Sequence, residues 1–162
     1  SFVFGIVTAV IFGAAAFHFE HSGLGAILAF FGVLILLLEI DYKTFLLPDI
    51  LTIPLLIGGF VFSVFYGLWV MPAESALGAA VGFLLPVAAE MLLVWRYKNA
   101  FGLGDVKLLA AIGAWLGIIQ TIYVILSACL LFAGFALVRR RKDGAFGPAI
   151  AVAAIIVAFC VF

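Results

Sequence analysis

Charge is what this sequence has least of. Only 10% of its 162 residues are Asp, Glu, Lys or Arg, eight of each sign, for no net charge. A soluble domain carries about 25%. With no basic excess there is no charged groove to follow a phosphate backbone, so no nucleic-acid partner is expected. Cysteine is equally scarce. Cys129 and Cys160 lie inside apolar runs without CxxC spacing or a neighbouring histidine, and they read as small core residues. There is no GK[ST], and the one glycine-rich stretch lacks the third glycine and the preceding strand of a dinucleotide fingerprint. No Ser has a His/Asp pair arranged for a triad. A basic n-region and a start Met are also missing, so residues 2–19 read as a true span of a processed or partial chain.

What is present is apolar surface. Hydrophobic residues make up 69% of the chain, with 18 Phe and 17 Gly. No soluble two-layer fold hides that much, so the solvent is lipid. Polar breaks cut the sequence into seven apolar segments, 2–19, 24–40, 52–70, 75–95, 107–118, 121–138 and 148–162. The runs are long and do not alternate, which predicts helices rather than a barrel. The expected fold is an all-α polytopic membrane bundle of six to seven, nominally seven, transmembrane segments in one domain, 1–162. Every Lys and Arg falls in the breaks at 41–51, 96–107 and 139–147, whereas the opposite breaks hold Glu20, His21 and Glu74. The positive-inside rule makes the first set cytoplasmic. The short segment 107–118 is read as a crossing, since otherwise the RRRK run at 139–142 would fall outside; a re-entrant half-helix is the alternative.

Acids at that cytoplasmic edge carry the chemistry. Asp41 ends a nonpolar run broken only by Glu39, and an acid in an apolar layer costs roughly 2.5–3.5 kcal/mol. Pro48 stops the helix, and Asp49 after it is expected to cap the next one, from about Ile50. Pro54 then falls inside that helix. Asp105 follows Gly102 and Gly104, whose backbone freedom would admit a closely approaching ligand. It either caps the following helix or, paired with Asp41 at the same depth, does acid–base work. Two adjacent carboxyls share a proton: the anion activates water and the acid protonates a scissile carbonyl. Such hydrolysis requires no cofactor or metal.

The other polar residues read more plainly. His18, Glu20 and His21 form a boundary cluster rather than a metal site. Lys107 is expected to meet lipid phosphate, and RRRK to set topology and hold anionic lipid. Glu90 either faces the bundle, reaches Arg96 or Lys98, or acts on substrate. From these residues alone a protease, a proton- or cation-coupled transporter and a membrane scaffold all stay open.

The stretches D41-YKTFLLP-D49, G102-L103-G104-D105-VKLLAAIGAWLG and G144-A145-F146-G147-P148 together resemble the type IV prepilin peptidases, membrane aspartic proteases of the GxGD class. The likeness covers nearly the whole chain. It implies a GxGD protease fold with Asp41 and Asp105 as the catalytic pair. Asp49, Pro48, Gly102, Gly104 and Lys107 would shape the site, and Gly147-Pro148 would match the family's FGP element. It further implies prepilin or pseudopilin substrates, cut at the cytoplasmic face of the bacterial inner membrane just before their apolar segment, for type IV pili or type II secretion. Many such enzymes also methylate the new amino terminus, an activity associated with a cysteine-rich zinc loop. These residues contain no such loop, begin where the second helix of a full-length member is expected, and predict no methylation.

Overall fold

The computed structural model describes residues 2–18, 24–44, 47–67, 70–93, 102–139 and 147–161. All regular structure among them is helical: α1 (Phe2–His18), α2 (Leu24–Thr44), α3 (Asp49–Phe65), α4 (Pro72–Leu93), α5 (Leu103–Leu116), α6 (Ile118–Arg139) and α7 (Gly147–Val161). The seven segments read from the sequence are these seven helices. Helix closes every backbone hydrogen bond within its own segment, which an apolar solvent requires. Two of them, within Gly25–Thr44 and Pro72–Leu92, are long and apolar enough to cross a membrane, and α3, α6 and α7 contain shorter apolar stretches. The protein is a polytopic helical membrane bundle.

Boundaries shift where local chemistry decides them. α2 runs past Glu39 to Thr44, so Asp41 is in its last turns rather than in a break. α3 starts at Asp49, with Pro48 as an extended N-cap whose carbonyl accepts the N–H of Leu51 at 3.1 Å. Pro54 is therefore internal, as expected for an early start. α5 starts four residues earlier than the apolar run, because Gly102 is its N-cap and Gly104 and Asp105 are already helical.

The centre of the bundle is α5. Val106 and every residue from Leu108 to Leu116 are buried, though the helix has only 14 residues. It packs most extensively on α4 and α3 and also meets α6 and α7. Among membrane helices, close packing rather than hydrophobic exclusion supplies the attraction, and small residues permit it. Gly78 and Gly82 of α4 do this work in a GxxxG spacing. A Cβ on Gly82 would overlap the Leu109 carbonyl oxygen, and one on Gly78 would overlap that of Gly113. Ser75 Oγ adds a 2.6 Å hydrogen bond to the Ala114 carbonyl.

On the α3 side, Trp115 stacks between Phe30 (centroids 4.8 Å apart) and Phe62 (5.1 Å), each pair worth about 0.5–1.5 kcal/mol. Its indole N–H donates to the Leu55 carbonyl at 2.8 Å. Gly59 leaves room for it, since a Cβ there would stand 2.6 Å from Trp115 Cδ1. α5 ends at Gly117, whose φ of 85° and ψ of −176° suit only glycine and allow α6 to begin at the next residue.

One expectation fails in the fold. Cys129 and Cys160 are exposed on the outside of the bundle rather than in the core. In a bundle surrounded by lipid a small apolar thiol is as well solvated outside as inside, so hydrophobicity did not discriminate.

Candidate active site

The C-terminus of α2 and the N-termini of α3, α5 and α7 lie together at one end of the bundle. The Asp41 carboxyl of α2 lies against the Gly147 backbone of α7, Leu47 just before α3 packs on Gly104 of α5, and Asp49 of α3 meets Lys107 of α5. Asp41, in the last turns of α2, is buried, with 4% of its surface exposed. Its Oδ2 has no hydrogen-bond partner among the described residues. The first residue of α7, Gly147, lies directly on this carboxyl. A Cβ at Gly147 would overlap Oδ2 and stand 2.9 Å from Cγ. The Gly147 backbone N–H is near enough to act on the carboxyl electrostatically.

Asp105 occupies the first turn of α5, half-buried, and is within coulombic reach of Asp41. Of the two readings offered for Asp105, the N-cap one does not hold: the cap is Gly102, and Asp105 is the third residue inside the helix. Its carboxyl folds back over that cap, since a Cβ on Gly102 would sit 3.4 Å from Asp105 Oδ2. This is the geometry of the acidic arm of a capping box.

The roles assigned to the two glycines change as well. Neither has a positive φ. Gly104 is required by contact: a Cβ there would stand 2.9 Å from Leu47 Cβ. The space it leaves is filled by Leu47 and so is not open to a ligand. Gly102 is exposed and its φ of −72° and ψ of 142° are open to any residue. Leu47 was not singled out in the sequence, yet it is the wedge of the site. It fills the notch at Gly104, and its Cδ1 lies 3.4 Å from where a Gly147 Cβ would be. Its place in the Leu-Pro-Asp triplet was the available signal.

Asp49 does not cap α3. The helix has no side-chain cap bond, and the Asp49 carboxylate instead accepts two hydrogen bonds from Lys107 Nζ, at 2.8 and 2.7 Å. Lys107, expected at lipid phosphate, is thus paired with Asp49. It ties the start of α3 to the first turns of α5, two residues from Asp105. Pro48 caps α3 through its backbone alone. Glu39 faces Lys43 of its own helix at 2.6 Å. Glu20, His21, Arg96, Lys98, Arg140, Arg141, Lys142 and the Gly144–Phe146 part of the FGP element lie outside the described residues, as does the side chain of His18. Among the described residues no three His, Cys, Asp or Glu side chains gather into a metal-binding group. An apolar cleft of about 320 Å³ opens between α2 and α3, lined among others by Val33, Leu51, Pro54 and Phe62.

Known proteins resemble the chain closely. It is 38% identical over 141 residues to a protein of Dickeya chrysanthemi named prepilin leader peptidase/N-methyltransferase, covering 80% of this chain and 48% of that protein. A protein of the same name from Neisseria gonorrhoeae is 39% identical over 155 residues, covering 91% of this chain and 53% of the relative. The corresponding protein of Escherichia coli strain K12 is 39% identical over 140 residues, 82% and 61% of the two chains. The chain thus spans about half the length of the curated relatives it matches. No solved structure gives a significant match. The profile of the type IV leader peptidase family matches residues 28–137, a stretch that holds Asp41, Leu47, Asp49, Gly104, Asp105 and Lys107. By this match the chain belongs to the type IV leader peptidase family.

Proposed function

We propose that residues 1–162 form the peptidase domain of a membrane aspartic endopeptidase. It removes the leader from type IV prepilins or pseudopilins at the cytoplasmic face of the bacterial inner membrane. Asp41 and Asp105 are the catalytic pair. The observation that carries this reading is that Asp41 and Asp105, from helices far apart in sequence, lie within electrostatic reach of one another at one end of the bundle. The more buried of them keeps an unpaired oxygen there. A buried polar atom without a partner is rare, and a catalytic role is one physical reason to keep it so.

In the reaction, the ionised member of the pair takes a proton from water as the water oxygen attacks the scissile carbonyl carbon. The protonated member gives its proton to the carbonyl oxygen. Collapse of the tetrahedral intermediate breaks the C–N bond, and a proton passes to the leaving amine. Because two close carboxyls titrate as a unit, cleavage follows a bell-shaped pH profile whose limbs belong to the pair. The substrate's apolar segment lies against the bundle, and its leader is extended past the acids, since a peptide bond within a helix is poorly open to attack. Asp49, Pro48, Gly102, Gly104 and Lys107 shape the site without reacting.

Seven crossings with the GxGD fold complete the proposal. Its support for α5 is that this helix begins beside Leu47 at the acid end and ends at Gly117 beside Val70, two residues before α4, at the other end. The charge asymmetry puts the acid end in the cytoplasm.

The test is cleavage of a prepilin-like peptide in lipid, with the products weighed to locate the cut. Asp41→Asn and Asp105→Asn, each folded, are expected to lose cleavage. Full activity from either one removes that residue from the pair. Ion flux in proteoliposomes without cleavage would favour the transporter reading instead.

A further inference from the structure

The pairing of two acids leaves one element of the site unexplained, the first turn of α7. Gly147 is buried, and positive φ does not account for a glycine there. Contact does. Any side chain at Gly147 would occupy the position of the Asp41 carboxyl, and the next nearest atom, Leu47 Cδ1, is at ordinary van der Waals distance, 3.4 Å. The constraint at this position is therefore Asp41 itself.

Two further features point the same way. The first N–H groups of a helix have no partner within it and form its positive end. The second residue of α7 is Pro148, which lacks an N–H, so the Gly147 N–H is the leading donor of that turn. Meanwhile Asp41 Oδ2 is buried, lacks a hydrogen-bond partner among the described residues, and lies against this turn.

We infer that Gly147 is a positioning residue for Asp41: the α7 N-terminal turn packs its bare backbone on the carboxyl and holds it toward Asp105. α7 is thus a third wall of the site, joined through Leu47 to the notch at Gly104. The catalytic part of this inference rests on the proposed peptidase reading, whereas the contact itself does not.

The experiment uses the full chain in four forms: unchanged, Gly147→Ala, Asp41→Ala, and the two together. Melting in detergent is measured for all four, and peptide cleavage for the first two. Gly147→Ala is expected to lower the melting temperature of the unchanged protein but to have little effect once Asp41→Ala has removed the colliding atoms. It should also lower kcat at least roughly tenfold with KM nearly unchanged, since misplaced catalytic groups are costly while substrate contacts persist. If Gly147→Ala alone does not fold, folding of the double variant supports the contact, and failure of both overturns it. Equal destabilisation with and without Asp41 overturns the inference, as does a Gly147→Ala enzyme with unaltered kcat. Absence of cleavage by the unchanged protein sinks the peptidase reading instead, and the melting cycle still decides the contact.

Discussion

Gly82→Ala is the sharpest probe of how α5, and with it Asp105, is held. The added methyl would overlap the Leu109 carbonyl oxygen and stand 2.8 Å from its carbon and 3.1 Å from Ala110 Cα. Carbon atoms pack comfortably at about 3.5 Å, so α4 and α5 must separate by roughly 0.7 Å. A gap of that size forfeits about a quarter to a half of each dispersion contact along the line of approach. No flexible side chain can yield, because the opposing atoms are backbone. The expected loss is about 1–3 kcal/mol, the usual range of overpacking costs. Gly134 of α6 is the control, since a Cβ there meets nothing within 4 Å. Gly134→Ala should be neutral or stabilise by up to about 1 kcal/mol through helix propensity. Unfolding of both variants in the same detergent gives the ranking. Leu109 is one helical turn from Asp105, so Gly82→Ala should also depress cleavage more than its stability alone implies. Equal stability of the two variants would show that the α4–α5 approach is looser than the geometry here, and the reasoning would fail.

Other outcomes follow from the same structure. Trp115→Phe should cost about 1 kcal/mol for the lost bond to the Leu55 carbonyl, and Trp115→Ala about 3–5 kcal/mol with the stack gone, both read by unfolding in detergent. The Asp49–Lys107 pair is roughly half exposed, so Asp49→Asn should cost no more than about 1 kcal/mol and keep substantial cleavage; complete loss of cleavage in a folded protein would give Asp49 a direct role. The pair's contribution should shrink further as salt is raised. Cys129 and Cys160, exposed on the bundle's outer surface, should react with a lipid-soluble thiol reagent, and replacing both with Ala should leave cleavage intact.

Much of the site was legible because its chemistry is tied to residue type. An acid ending an apolar run, and another after Gly-x-Gly, stand out from a chain with so little charge. The partners of those acids were less legible. Asp49 followed by an apolar run has the pattern of a helix cap, yet Lys107, 58 positions away, takes both its oxygens. Local pattern cannot weigh a distant cation against a nearby N–H. The glycines of GLGD misled in a similar way. Their spacing suggested unusual backbone angles, but Gly104 is small because Leu47 presses on it. Leu47 itself was one apolar residue among many.

Composition alone decides that this chain lives in lipid, because no aqueous fold can bury 69% hydrophobic residues. The breaks between apolar runs decide how many helices form, and the placement of every Lys and Arg decides their expected orientation, since both follow from transfer energies that add along the chain. Which helix becomes the core was not decidable in that way. The shortest apolar run became the buried centre, through glycines that let α4 come against its backbone, and the N-terminus of α7 came to lie on Asp41. Those outcomes depend on shape between segments distant in sequence, and only the packed bundle settles shape.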